Sequence, residues 1–264
     1  MSEIVRKTAR RTVLPPRVLR ELSMLQDGLN KIIDKDWVTK RTCDDWALAV
    51  TMESTELMDS YPWKWWKNVN AAPDFKNVKI ELVDILHFSL SGTMQMSAKG
   101  AEIAPFPFDA NKDIVTPLAV TANAVSTFRN VIHLCKYHRF DVITEHVVAA
   151  ADDLDFNLVA YYVAKHTLNY VRQLGGYKSG EYVKVNKGVE DNELLHACID
   201  GVTVADALGE ASHVAVWDAV MTKAYDAFAV PEPQRKTVAD WIPAAEAAKL
   251  PLRASDANAA TVAA

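Results

Sequence analysis

The chain has 264 residues, 50% of them hydrophobic, and a formal net charge of -5. That is enough apolar material for a packed core, and the charge gives no overall polyanion-binding signature. No run reaches the roughly eighteen apolar residues of a membrane span, and no charged leader precedes an apolar segment, so an intracellular protein outside the membrane is expected. The basic residues Arg6, Lys7, Arg10, Arg11 and Arg17 form one brief cluster, and nucleic-acid binding is not expected from it. Cys43, Cys135 and Cys198 are odd in number and far apart, which suits reduced, buried thiols.

Apolar residues recur at three and four from Pro16 to about Ile33, which predicts a first helix with one buried stripe. A second begins after Thr42, capped by Asp44 or Asp45, and ends near Tyr61 because Pro62 disfavours continuation. A third is expected from about Asn77 to Ser97 and a fourth from about Ala119 to Tyr137. The segment 98–117 has no sustained period and reads as a loop or insertion. Helices then follow at Val142 to Ala151 and about Asn157 to Leu174, the latter stopped by Gly175 and Gly176 as left-handed turn residues. Two more are expected at roughly 191–200 and 211–228. Strand character is confined to Tyr182–Val185, the stretch 254–264 reads as a tail, and the fold class is all-α.

The stretch 51-TMESTELMDSYPWKWWKN-68 combines Glu53 and Glu56, three apart, with Trp63, Trp65 and Trp66. Residues at that spacing lie roughly 60° apart around a helix, so the two carboxylates share a face. Glu81 and Asp84 repeat the spacing on the next helix among apolar neighbours. Consecutive helices joined by a short loop are commonly antiparallel, which brings four carboxylates together. Such a cluster repels itself unless hard cations compensate it; Mg²⁺, with its preference for oxygen ligands and substrate phosphates, is the natural partner. Lys165, Asn169 and Arg172 form one cationic and amide stripe before the glycine pair, followed by Tyr177, Lys178, Asn186 and Asn192 in a glycine-containing loop suited to phosphate oxygens. The lysine-flanked tryptophans suit stacking on a planar base, with His87 and Phe88 one turn beyond Asp84.

Four motifs in order, 24-MLQDGLN-30, 51-TMESTELMDSYPWKWWKN-68, 80-IELVDILHFSLSG-92 and 160-AYYVAKHTLNYVRQLGGYKSGEYVKVNKGVEDN-192, resemble the dimeric, all-α deoxyuridine triphosphatases of the trypanosomatid type. The resemblance implies a homodimer related to MazG-like pyrophosphohydrolases, acting in the nucleus or cytoplasm, that hydrolyses dUTP and dUDP to dUMP. This limits uracil in DNA and supplies thymidylate synthesis. It implies two or three Mg²⁺ ions held by Glu53, Glu56, Glu81 and Asp84, with Glu53 also activating water. It assigns uracil and deoxyribose to Gln26, Asn30, Trp63, Trp66, His87 and Phe88, and phosphates or closure to Lys165, Asn169, Arg172, Tyr177, Lys178, Asn186 and Asn192. One domain over 1–264 is implied: a rigid four-helix core over about 18–137, a core plus mobile phosphate-binding part over about 138–230, and a lid loop. The alternatives are another all-α pyrophosphohydrolase acting on dCTP, a di-iron carboxylate bundle built on Glu193-x-x-His196 and Asp84-x-x-His87, and a non-enzymatic helical scaffold.

Overall fold

The computed structural model describes residues 14–98, 120–209 and 213–242. The expectations for the basic cluster before Leu14, for 99–117 and for the tail 254–264 lie outside the described residues. Pro16 opens α1 (Pro16–Ile33), where its missing N–H costs no helical hydrogen bond. A short α2 (Trp37–Lys40) follows. Next come α3 (Cys43–Asp59), α4 (Phe75–Ala98), α5 (Val120–Cys135), α6 (Phe140–Asp153) and α7 (Leu158–Leu174). The rest comprises α8 (Leu195–Cys198), α9 (Val204–Leu208), α10 (His213–Ala227) and α11 (Val238–Trp241). The fold is all-α.

The cap of α3 is Thr42, whose hydroxyl accepts from the Asp45 N–H while the Asp45 carboxylate accepts from the Thr42 N–H. The expectation that Asp44 or Asp45 would occupy the cap is therefore corrected by two or three residues. The same reciprocal pairing opens α9 through Thr203 and Asp206 and α11 through Thr237 and Asp240. Each satisfies backbone donors that a helix start leaves without partners.

α4 is buried on nearly every side from Ile80 to Gly92, which explains why apolar residues there surround its few polar ones. α3, α4, α5 and α6 pack together as a bundle, α1 and α7 also lie against α4, and α10 packs on α7. α3 and α4 run antiparallel. Ser60 at the end of α3 accepts from the Asp74 N–H at 2.9 Å and from Asn77 Nδ2 at 2.9 Å. At the opposite end, Trp46 donates to Gln95 Oε1 at 3.3 Å.

Only one of the two glycines after α7 is left-handed: Gly176 has φ of 80°, whereas Gly175 has φ of -81°. Gly175 answers to a different constraint, because a Cβ there would sit 2.5 Å from the Tyr182 ring. The short strand signal resolves into a two-residue hairpin, with β1 (Val185–Asn186) antiparallel to β2 (Val189–Glu190). Lys187 and Gly188 connect them with φ of 52° and 81°, the double left-handed geometry of a tight hairpin turn.

Trp217 on α10 is fully buried, and its ring nitrogen donates to the Ala207 carbonyl at 3.0 Å, fastening α9 to α10. Trp217→Ala should destabilise the protein by about 3–5 kcal/mol through the cavity it leaves. A urea unfolding midpoint checks this; a midpoint unchanged from wild type would mean that the packing here carries no such load.

Candidate active site

The antiparallel crossing of α3 and α4 brings Glu53, Glu81 and Asp84 together, with one carboxylate oxygen from each inside 4.8 Å of the others. Glu81 is buried and the other two are half-buried. Burial first, and then the neighbouring carboxylates, push Glu53 and Glu81 above the usual carboxylate range, and the two share a carboxyl-to-carboxyl hydrogen bond. An all-oxygen, crowded and desolvated set of this kind fits a hard divalent cation, which would replace the shared proton and offset the repulsion.

Glu56 lies outside that trio. It is exposed one turn along α3 and lines a cavity of about 510 Å³ with Asp59, Lys64, Lys67, Asn68 and Asn77. Its charge still bears on the trio, as one of the causes that raise Glu53. The histidines of the two Glu/Asp-x-x-His spacings are engaged elsewhere: His196 meets the Tyr161 hydroxyl at 2.8 Å, and His87 meets Gln26. Neither contributes to the described carboxylate cluster.

α7 supplies the cations from inside the protein. Lys165 is 1% exposed, and its ammonium sits 2.8 Å from Asp84 Oδ2 and donates to Asn192 Oδ1 at 2.8 Å. Arg172 binds both oxygens of Asp191, at 2.9 and 2.8 Å, and also reaches Asn192 at 3.2 Å and Asn169 at 3.3 Å. Burial opposes the charge on Asp191, but the Arg172 pair outweighs it and holds the carboxyl below its usual range. The stripe of Lys165, Asn169 and Arg172 is thus joined to Asn192 in one network, and Asp191 anchors it.

Elsewhere in the glycine-containing loop, Tyr177 lies between Arg172 and Lys184, whose cations are 5.8 and 5.6 Å from its ring centroid. Lys178 reaches away from this network and donates to the Ile33 carbonyl at 2.9 Å, tying the loop to the end of α1. Asn186 is exposed in the hairpin.

A second polar group is enclosed between α1, α4 and α7. Gln26 Oε1 faces His87 Nδ1 at 2.5 Å and accepts from the Tyr162 hydroxyl at 3.1 Å. Gln26 Nε2 donates to Asn30 Oδ1 at 2.9 Å, and Asn30 Nδ2 donates to Ser91 at 3.0 Å. Burial, with His166 and Lys165 nearby, holds the His87 ring well below the usual histidine range and therefore neutral. Phe88 turns the other way and lies against Trp46, with 6.3 Å between ring centroids.

The tryptophans are not core material. Trp63, Trp65 and Trp66 are 42%, 82% and 55% exposed and pack edge-on against one another, with centroids 5.6 and 5.3 Å apart. Lys64 pairs with Asp59 and lies over Trp63.

Sequence reasoning passed over Asp191, Tyr162 and Ser91. Spacing carries a signal for two of them, since Tyr162 precedes Lys165 by three and Ser91 follows His87 by four, each on its neighbour's helical face. Asp191, in a polar glycine-containing loop, reads as an ordinary turn residue.

No curated protein matches the chain. Residues 18–177 match the dUTPase_2 family model, described as dUTPase. That span holds the carboxylate trio, the enclosed amides, Lys165 and Arg172, and stops short of Lys178, Asn186 and Asn192. With a match over more than half its length and a helical fold in agreement, the chain belongs to the all-α dUTPase family and is a dUTP diphosphatase, a hydrolase of the dUTP anhydride.

Proposed function

We propose that the protein is a Mg²⁺-dependent homodimer of the trypanosomatid, MazG-related type that hydrolyses both dUTP and dUDP to dUMP, releasing pyrophosphate or phosphate. The observation that carries this reading is the convergence of Glu53, Glu81 and Asp84 beside a buried lysine, on the helices of a dUTPase. These three residues hold the cations, and Glu56, exposed one turn from Glu53, adds a fourth carboxylate. Two or three bound Mg²⁺ ions would supply charge neutralisation of the phosphate chain and a lowered pKa for the attacking water.

Glu53, crowded by neighbouring carboxylates, accepts the proton of that water. Lys165 and Arg172 stabilise the negative charge that moves toward the leaving phosphate, and Asn169 and Asn192 hold the two cations in place. Gln26, Asn30 and His87 receive uracil and deoxyribose, with Trp63 and Trp66 stacking from the exposed loop; Phe88, which lies against Trp46, would have to turn to join them. Tyr177, Lys178 and Asn186 belong to a lid over 175–186 that closes on the phosphates. The exposure of the hairpin supports such a movable segment, and the Lys178 bond to Ile33 would have to break for it to close.

A panel of dUTP, dUDP, dCTP, dTTP and UTP with Mg²⁺ tests the assignment. Turnover of dUTP and dUDP to dUMP, lost on chelation, is expected. A dUDP that binds only as an inhibitor would contradict the dual specificity, and preferred dCTP turnover would contradict the base assignment. Amide exchange over 175–186 should slow when a non-hydrolysable dUDP analogue and Mg²⁺ are added together; unchanged exchange at saturation would mean a preformed cradle.

A further inference from the structure

We propose that Ser91 and Tyr162 are positioning residues that fix the direction of the Gln26 and Asn30 amides, so that the pocket complements a pyrimidine edge of acceptor, donor and acceptor. The inference rests on the reading of Gln26 and Asn30 as the base site.

The direction is set from both ends of one buried chain. Ser91, fully buried, has a single hydroxyl proton and gives it to the His87 carbonyl at 3.0 Å. Toward Asn30 it can only accept, so Asn30 must present Nδ2 to Ser91 and Oδ1 to Gln26. Gln26 in turn must present Nε2 to Asn30, which leaves Oε1 facing His87 and Tyr162.

The other end reaches the same answer independently. Among the described residues His87 Nε2 is buried without a hydrogen-bond partner, and a buried N–H with no acceptor costs about 1–3 kcal/mol. The ring proton therefore belongs on Nδ1, where it is donated to Gln26 Oε1. Tyr162 is fully buried, and its hydroxyl lies 3.1 Å from both the Leu22 carbonyl and Gln26 Oε1; its single proton serves one of them at a time, so the phenol supports the Gln26 direction that His87 sets. Its ring also stacks on His87, with centroids 4.1 Å apart, which fixes the imidazole plane. A rotated Gln26 amide would set its NH₂ against His87 Nδ1–H.

With these bonds made, Oε1 of Gln26 is turned toward His87 and Tyr162. Among the described residues one N–H on Gln26, one N–H on Asn30 and the second lone pair of Asn30 Oδ1 stay uncommitted. That set of donor, acceptor and donor matches a base edge with two carbonyls flanking an N–H. A 4-amino pyrimidine would set its NH₂ against a fixed N–H and its bare ring nitrogen against a lone pair. The discrimination is therefore built behind the pocket as much as in it.

The test is kcat/KM for dUTP and for dCTP, with Mg²⁺, in wild type, Ser91→Ala, Ser91→Thr and Tyr162→Phe, each checked for helical content. Removing the Ser91 hydroxyl leaves the Asn30 amide held from the Gln26 side alone. The dUTP to dCTP ratio should then narrow by about tenfold or more, chiefly through KM for dUTP. Ser91→Thr, which keeps the hydroxyl, should restore the ratio. Tyr162→Phe, which keeps the ring on His87, should narrow it less and serves where Ser91→Ala does not fold. Helical variants with active dUTP turnover and an unchanged ratio would overturn the proposal alone. A wild-type protein that does not discriminate dUTP from dCTP would overturn the base-site reading beneath it.

Discussion

Glu53→Gln should lose more than about 100-fold of dUTP turnover, since groups that merely support metal ligands are already worth 10–100-fold. It should at the same time make the metal-free protein more stable at neutral pH. Both effects come from one geometry. Glu53 shares a 4.8 Å cluster with Glu81 and Asp84, and its burial disfavours the charge that the chemistry needs. A carboxyl raised above its unfolded value costs stability once pH exceeds that unfolded value, and the cost grows until pH passes the folded one. Glutamine removes it, so the gain should fade toward pH 4. Thermal unfolding in a chelator reads the stability, and product formation reads the turnover. A variant that keeps near-wild-type turnover would remove Glu53 from the mechanism; one that is less stable at neutral pH would contradict a site in which burial and crowding outweigh the nearby Lys165.

Lys165→Met should cost both activity and fold. Lys165 is buried, and among the described residues Asp84 and Asn192 are its partners. Breaking one side of a buried ion pair costs about 3–5 kcal/mol, because the other charge is left buried alone. Asp84→Asn should therefore also destabilise the protein, unlike Glu53→Gln, since it strands the ammonium. The double variant Lys165→Met with Asp84→Asn should recover much of the lost stability and none of the turnover. Additive destabilisation in that double variant would mean that the pair is not coupled, and restored turnover would mean that neither residue serves the reaction.

The long helices were legible because each carries a sustained period or a clear stop, as in α1 with its stripe from Val18 to Leu29. The short ones were not, since α2, α9 and α11 span four or five residues and offer no period to read. Two of these three nevertheless announce themselves by Thr-x-x-Asp, a capping signal that survives when periodicity does not. The convergence of Glu53 with Glu81 and Asp84 followed from spacing and antiparallel packing. The placement of Glu56 outside that trio did not, because helical spacing fixes direction around an axis and says nothing of how far a neighbouring helix extends. The pairing of Arg172 with Asp191 was also hidden, since it joins a helix to a loop nineteen residues on and depends on tertiary closure.

The central claim is that the Glu53, Glu81 and Asp84 cluster is the metal site at which dUTP is cleaved. Anomalous diffraction from crystals holding Mn²⁺ and a non-hydrolysable dUTP analogue tests it most directly. The expected map has anomalous peaks bonded to all three carboxylates and to phosphate oxygens, with the base against Gln26 and Asn30. Peaks elsewhere, or an ordered nucleotide with no metal at these carboxylates, would contradict it.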